Sequence, residues 1–240
     1  MSKNLKIFLG VSYLLILFFF LYFIFTAIEI NRLDDFAYYK EIQTNLETYI
    51  SNNILINVIY FFIFAIIWVT LLGFGSPILI ISGILFGKII GTLVSVISIS
   101  IGALLLYSIG NFFFRDLVKS ILEKKFNKYI QLFQKNEFFY FFIYRFIGGL
   151  GVPFGLQNLI PILFGMKKIN YFLASFFGFI PGFFIINTIG AGLNTYISQA
   201  DSFSMIDFIF TPQIYLPILM FSVLMFFSII IKKKFFDDTN

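Results

Sequence analysis

The sequence contains no cysteine and no histidine. Disulfide frameworks, thiolate metal centres, haem ligation and imidazole acid–base chemistry are thereby excluded. Charge is scarce too: Asp, Glu, Lys and Arg make up 12% of the 240 residues, about half the roughly 25% of a soluble domain. Between Ile54 and Gly110 the only charged residue is Lys88. Between Phe138 and Ala200 there are only Arg145, Lys167 and Lys168. No acidic residue lies deep in an apolar run, Glu137 standing at an edge, which weakens a proton-coupled reading. No catalytic triad, metal cluster or phosphate-binding glycine motif is present, so the sequence reads as a non-enzyme with no cofactor.

What remains is apolar. Hydrophobic residues make up 60% of the chain, and 38 residues are phenylalanine. Mean hydropathy is +0.95. The apolar residues come in blocks of about 20, long enough to cross a bilayer as helices. The fold class is therefore an all-α integral membrane protein with several spans. The net charge of +5 does not indicate nucleic acid, because the lysines flank apolar runs as they do on the cytoplasmic side of membrane proteins.

Lys3 and Lys6 precede an apolar run, Ile7 to Ile28. It is too long for a signal-peptide core and lacks a small-residue cleavage site, so it reads as an uncleaved helix with a cytoplasmic N-terminus. Gln213 to Ile231 reads as a last helix, stopped by Lys232, Lys233 and Lys234. Segment 29–53 carries Glu29, Asp34, Asp35, Glu41 and Glu47 against Arg32 and Lys40, and reads as external. Segment 111–137 carries Arg115, Lys119, Lys124, Lys125, Lys128 and Lys135 and reads as cytoplasmic. Segment 191–211, with Asp201 and Asp207 and no basic residue, reads as external.

These assignments require hairpins that enter and return. The first is expected over 54–87, broken at Gly73-Phe74-Gly75-Ser76-Pro77, followed by a crossing from Ile89 to Ile109. The second is expected over 138–166, broken across Gly148 to Pro153, followed by a crossing from Ile169 to Ile189. Five segments result: 1–53, 54–110, 111–137, 138–195 and 196–240. Within the third, Leu117, Ile121, Leu122, Phe126, Ile130 and Phe133 fall at helical spacing with lysines opposite. That pattern suits an interfacial helix on anionic lipid.

The chain also repeats itself. Ile84-Leu85-Phe86-Gly87-Lys88 recurs 78 residues later as Ile162-Leu163-Phe164-Gly165-Met166-Lys167. Two hairpin-plus-helix units of opposite orientation are a transporter design, with a binding site where the broken segments meet. Candidate substrate-binding residues are Arg145, Gly151, Pro153, Phe154, Gln157 and Asn158 of the second break, and Gly75, Ser76 and Pro77 of the first. Arg145 stands out, because an arginine at membrane depth is costly and its fork suits phosphate or carboxylate. Snorkelling to the interface is its bland alternative, as is capping of the broken helix. Pro161, Pro181 and Gly182 are expected kinks, and Asn187 extends the polar set.

These motifs resemble the VTT-domain superfamily, which includes DedA and SNARE-associated Golgi proteins, and within it the Tvp-type branch. The resemblance rests on Asn158-Leu159-Ile160-Pro161, Phe164-Gly165, Gly178-Phe179-Ile180-Pro181-Gly182 and Gly190-Ala191-Gly192-Leu193. Arg145, Pro153-Phe154 and Asn158 fit it, as do Gly83 to Gly87, Gly91 and Gly102. It spans about residues 70–195. Two places depart from the family pattern: Phe74-Gly75-Ser76-Pro77 replaces a common Leu-Pro-Gly, and the stretch from Arg145 to Pro153 is about two residues longer. The resemblance implies two inverted re-entrant hairpins and movement of phospholipid or polyprenyl-phosphate between leaflets. A small ion or solute transporter is the alternative, and a non-transporting assembly or trafficking factor a third. Membrane lipids, anionic headgroups among them, are the expected partners, and a homo-oligomer is left open. The expected location is a bacterial inner membrane with both termini cytoplasmic.

Overall fold

The computed structural model describes residues 3–27, 35–72, 74–200, 202 and 204–232. Within these, the side chains of 116–129 and of some further helical positions lie outside the description. The described residues form helices α1 (Lys3–Ala27), α2 (Phe36–Asn52), α3 (Ile54–Leu72), α4 (Ser76–Lys135), α5 (Glu137–Phe146), α6 (Phe154–Leu159), α7 (Lys168–Gln199), α8 (Met205–Phe210) and α9 (Pro212–Lys232). Gly148–Gly151 and Ile160–Phe164 are 3₁₀ turns. No strand occurs among the described residues. Ile54–Leu71, Ser76–Arg115 and Lys168–Gln199 are long and apolar enough to cross a membrane.

α4 runs as one helical element from Ser76 to Lys135 but is not straight. Ser82 Oγ donates to the carbonyl of Gly91 at 3.0 Å, whereas nine residues of straight helix rise about 13 Å. The chain reverses between them at Gly87, whose φ of 73° lies in the left-handed region that glycine enters at little cost. A second bend follows. Tyr107 Oη donates to the carbonyl of Met166, and Gln134 Nε2 donates to the carbonyl of Phe164. On a straight helix Tyr107 and Gln134 would stand about 40 Å apart, yet both reach one short turn. The basic segment therefore folds back beneath the second hairpin. Its expected amphipathic face falls largely on 116–129, outside the described side chains.

At each break the chain turns back and packs against the helix before it. α3 descends, the chain breaks before Ser76, and it returns until Phe86 packs edge-on against Phe61. Trp68 Nε1 ties the break by donating to the carbonyl of Phe74; Gly73 lies outside the description. In the second unit α5 descends, the chain breaks over 147–153, and α6 returns. Its end closes on the start of α5, where the backbone N–H of Lys167 donates to the Glu137 carboxylate at 3.2 and 3.3 Å.

The units correspond in detail. Shifted by 78 residues, the start of α4 at Ser76 falls on the start of α6 at Phe154. Gly87 falls on Gly165, which also has a positive φ, 60°. Their packing is reciprocal. A β-carbon on Gly110 of α4 would meet Leu159 and Ile162 of the second unit, and one on Gly190 of α7 would meet the backbone of Ile80 and Gly83 of the first. Each unit's long helix thus presses a glycine on the other's returning segment. These contacts supply the close approach that apolar helices need where lipid offers no hydrophobic drive.

Two elements were not read from the sequence. α2 forms in the acidic segment that follows α1, started by Asp35, whose carboxylate accepts from the backbone N–H of Ala37 at 2.9 Å. It binds α7 through Asn194 Nδ2 donating to Glu47 and Lys40 Nζ donating to the carbonyl of Ala200. α8 lies near the same end. Lys233 and Lys234 are outside the described residues.

Candidate functional site

The two breaks meet. The ring of Phe154, at the start of α6, lies 3.4 Å from where a β-carbon on Gly75 would stand. Beside this contact opens a cavity of about 600 Å³. Among the candidate residues, Gly75, Ser76, Arg145, Gly151, Phe154, Gln157 and Gly182 line it. Phe221 and Met225 of α9 close one side. Pro77 and Pro153 stand exposed at the helix starts. Pro161 is buried in the turn over 160–164, and α7 runs unbroken through Pro181.

Arg145 is 3% exposed, so it does not snorkel. Its Nη2 donates to Asn158 Oδ1 at 2.6 Å and to Tyr171 Oη at 3.0 Å. Its Nη1 donates to Gln157 Oε1 at 3.2 Å, and Nε to Ser175 Oγ at 3.3 Å. The rings of Phe141 and Phe179 each lie 4.7 Å from the guanidinium carbon, a separation at which an aromatic face attracts a cation. Every one of these partners is neutral. Among the described residues no carboxylate forms an ion pair with Arg145. The nearest buried carboxylate by sequence, Glu137, is instead taken by Lys167 N–H and by Asn170 Nδ2 at 2.6 Å.

Each partner is itself held. Gln157 Nε2 donates to the carbonyls of Val152 and Gly148, so its oxygen is turned toward the arginine while its amide satisfies the broken backbone. Asn158, fully buried, accepts with Oδ1; its Nδ2 has no partner among the described residues. Tyr171 stacks on Tyr107 with ring centroids 4.6 Å apart. α7 comes close enough to deliver Tyr171 and Ser175 because residue 178 is glycine: a β-carbon there would lie 2.5 Å from Arg145 Cβ. Capping of the break and a role for Arg145 are therefore not alternatives. The break is capped by Gln157, and Gln157 in turn holds the arginine.

Tyr171, Ser175 and Phe179 were missed from the sequence. The signal was the stripe Tyr171, Ser175, Gly178 and Gly182, spaced as one face of a helix. Asn187 belongs elsewhere: its carbonyl and amide oxygen lie against Gly83 and Gly91 at the crossing of α4 and α7.

Chemically, the arrangement is a fixed, uncompensated cation at the edge of an apolar cavity. It can attract an anion, and among the described residues no group of three or more His, Cys, Asp or Glu side chains gathers to hold a metal ion. A family model described as the VTT domain matches residues 55–192. No curated protein and no solved structure matches the chain.

Proposed function

The chain belongs to the VTT domain family, and from that premise we propose that it is a membrane transport protein that moves lipid headgroups between leaflets through the cavity at Arg145. The observation that carries this reading is a buried arginine, 3% exposed, with neutral partners only, facing a cavity of about 600 Å³. A buried charge left without a counter-charge is strongly unfavourable, and within a membrane such a residue marks a functional path. An anionic headgroup supplies the missing charge. The acyl chains stay outside, past Phe221 and Met225 of α9, a helix whose other faces expose Leu219, Phe226 and Phe227.

In this reading the two hairpins are re-entrant, the paired breaks carry the headgroup near the midplane, and no bond is made or broken. Both termini and the basic segment are cytoplasmic, in a bacterial inner membrane.

The test is headgroup accessibility in proteoliposomes of purified protein, with fluorescent phospholipid and polyprenyl-phosphate in separate preparations. Translocation of either lipid above protein-free liposomes supports the proposal. Anion flux without lipid movement, from folded protein, moves the assignment to a small-anion transporter.

A further inference from the structure

Counting charges at the cavity says more about what it can accept. Among the described residues Arg145 is the only charged side chain lining it; Ser76 and Gln157 are neutral and the other described lining residues are glycine and apolar. The guanidinium has little left to give. The rings of Phe141 and Phe179 each lie 4.7 Å from its carbon, and Nε and Nη2 are engaged by Ser175, Asn158 and Tyr171. Nη1 donates to Gln157, which leaves one of its two N–H groups without a partner among the described residues. A ligand therefore meets at most one free donor, not a two-pronged fork. The other positive contribution is the N-terminus of α4 at Ser76, worth about half a charge and short of a second cation.

We infer that the cavity selects headgroups bearing a single negative charge, phosphodiesters, and rejects phosphate monoesters that carry two. The inference rests on the lipid reading above and narrows its substrate class. One charge is matched by Arg145. A second would sit uncompensated among Phe154, Phe179 and Phe183, and an unpaired charge in apolar surroundings is the costliest thing such a wall can hold. Polyprenyl-phosphate, a monoester, thereby falls on the rejected side.

The discriminating experiment measures binding, not movement, so its failure is separate from failure of the transport reading. Purified protein in neutral-detergent micelles is titrated with phosphatidylglycerol, a phosphodiester, and with phosphatidic acid of the same acyl chains, a monoester. At pH 8 phosphatidylglycerol is expected to bind at least about tenfold more tightly. At pH 5 the gap closes, because a phosphate monoester takes up its second proton near pH 6 and becomes singly charged, while the diester does not change. Arg145→Gln removes the preference, and the pH comparison on unaltered protein stands even where that variant misfolds. Soluble glycerophosphoglycerol is the third ligand: binding far weaker than the lipid assigns the site to a membrane headgroup, and equal binding assigns the same chemistry to a soluble diester. Phosphatidic acid binding as tightly as phosphatidylglycerol at pH 8, no binding of either, or a gap indifferent to pH overturns the inference.

Discussion

Gly178 of α7 lies against Arg145 of α5 so closely that a β-carbon on the glycine would stand 2.5 Å from that of the arginine and 3.0 Å from the carbonyl of Phe142. The contact brings Tyr171 and Ser175 within hydrogen-bonding reach of the guanidinium. Gly178→Ala must push the two helices apart. A loss of about 1–3 kcal/mol is expected, as for other overpacked sites, read as a lower unfolding temperature in detergent together with weaker anion binding. Gly182→Ala is the control. Nothing stands within 4 Å of a β-carbon there, and alanine gains up to about 1 kcal/mol of helix propensity over glycine, so stability holds or rises.

Asn158→Asp replaces the amide oxygen 2.6 Å from Arg145 Nη2 with a carboxylate of nearly the same shape. The arginine then has its counter-charge inside the protein. The fold is retained and translocation falls at least about tenfold, the equivalent of 1.4 kcal/mol. Asn158→Ala behaves differently: it strips an acceptor from Arg145 and Tyr171 and costs about 1–3 kcal/mol of stability. Melting and transport measured on both variants separate loss of charge from loss of structure.

Gly87 and Gly165 share left-handed backbone at φ of 73° and 60°. Alanine at either is expected to cost about 1–3 kcal/mol. Asparagine, which enters that region more readily, is expected to cost less. Thermal unfolding of the four variants checks the order, and a null effect at Gly87 would remove the turn from the account.

Glu137 joins the two ends of the second hairpin by accepting from the backbone N–H of Lys167, just ahead of α7, and from Asn170. A negative charge at a helix start is worth about 0.3–1 kcal/mol, up to about 2 when partly buried. Glu137→Gln keeps one acceptor and loses the charge, so a drop of that size in unfolding free energy is expected.

Much of the architecture was legible because it is written locally. Apolar block length gives the spans, and Gly75 and Pro153 lie where the helices break. The paired Phe-Gly at 86–87 and 164–165 announces two equivalent turns. α2 was missed, although Phe36, Tyr39, Ile42, Leu46 and Ile50 fall at near-helical spacing in that acidic segment; its contacts with α7 and the residue after it, through Glu47 and Lys40, are tertiary and no local pattern encodes them. The site was half legible. Arg145 draws notice by its cost at membrane depth, and Gln157 and Asn158 by their place in the break. Tyr171, Ser175 and Phe179 lie on a different helix, and only tertiary packing through Gly178 brings them to the guanidinium. The double bend of α4 was partly hidden too. Gly87 marks the first, but the second, between Tyr107 and Gln134, shows only in their reaching one turn.

The central claim is that the buried, uncompensated charge of Arg145 draws lipid headgroups across the membrane core. It is tested most directly by fluorescent phospholipid translocation in proteoliposomes carrying equal amounts of folded unaltered protein and Arg145→Ala. The account predicts translocation well above empty liposomes for the unaltered protein and near-background movement for the variant. Equal translocation by the two proteins would contradict it.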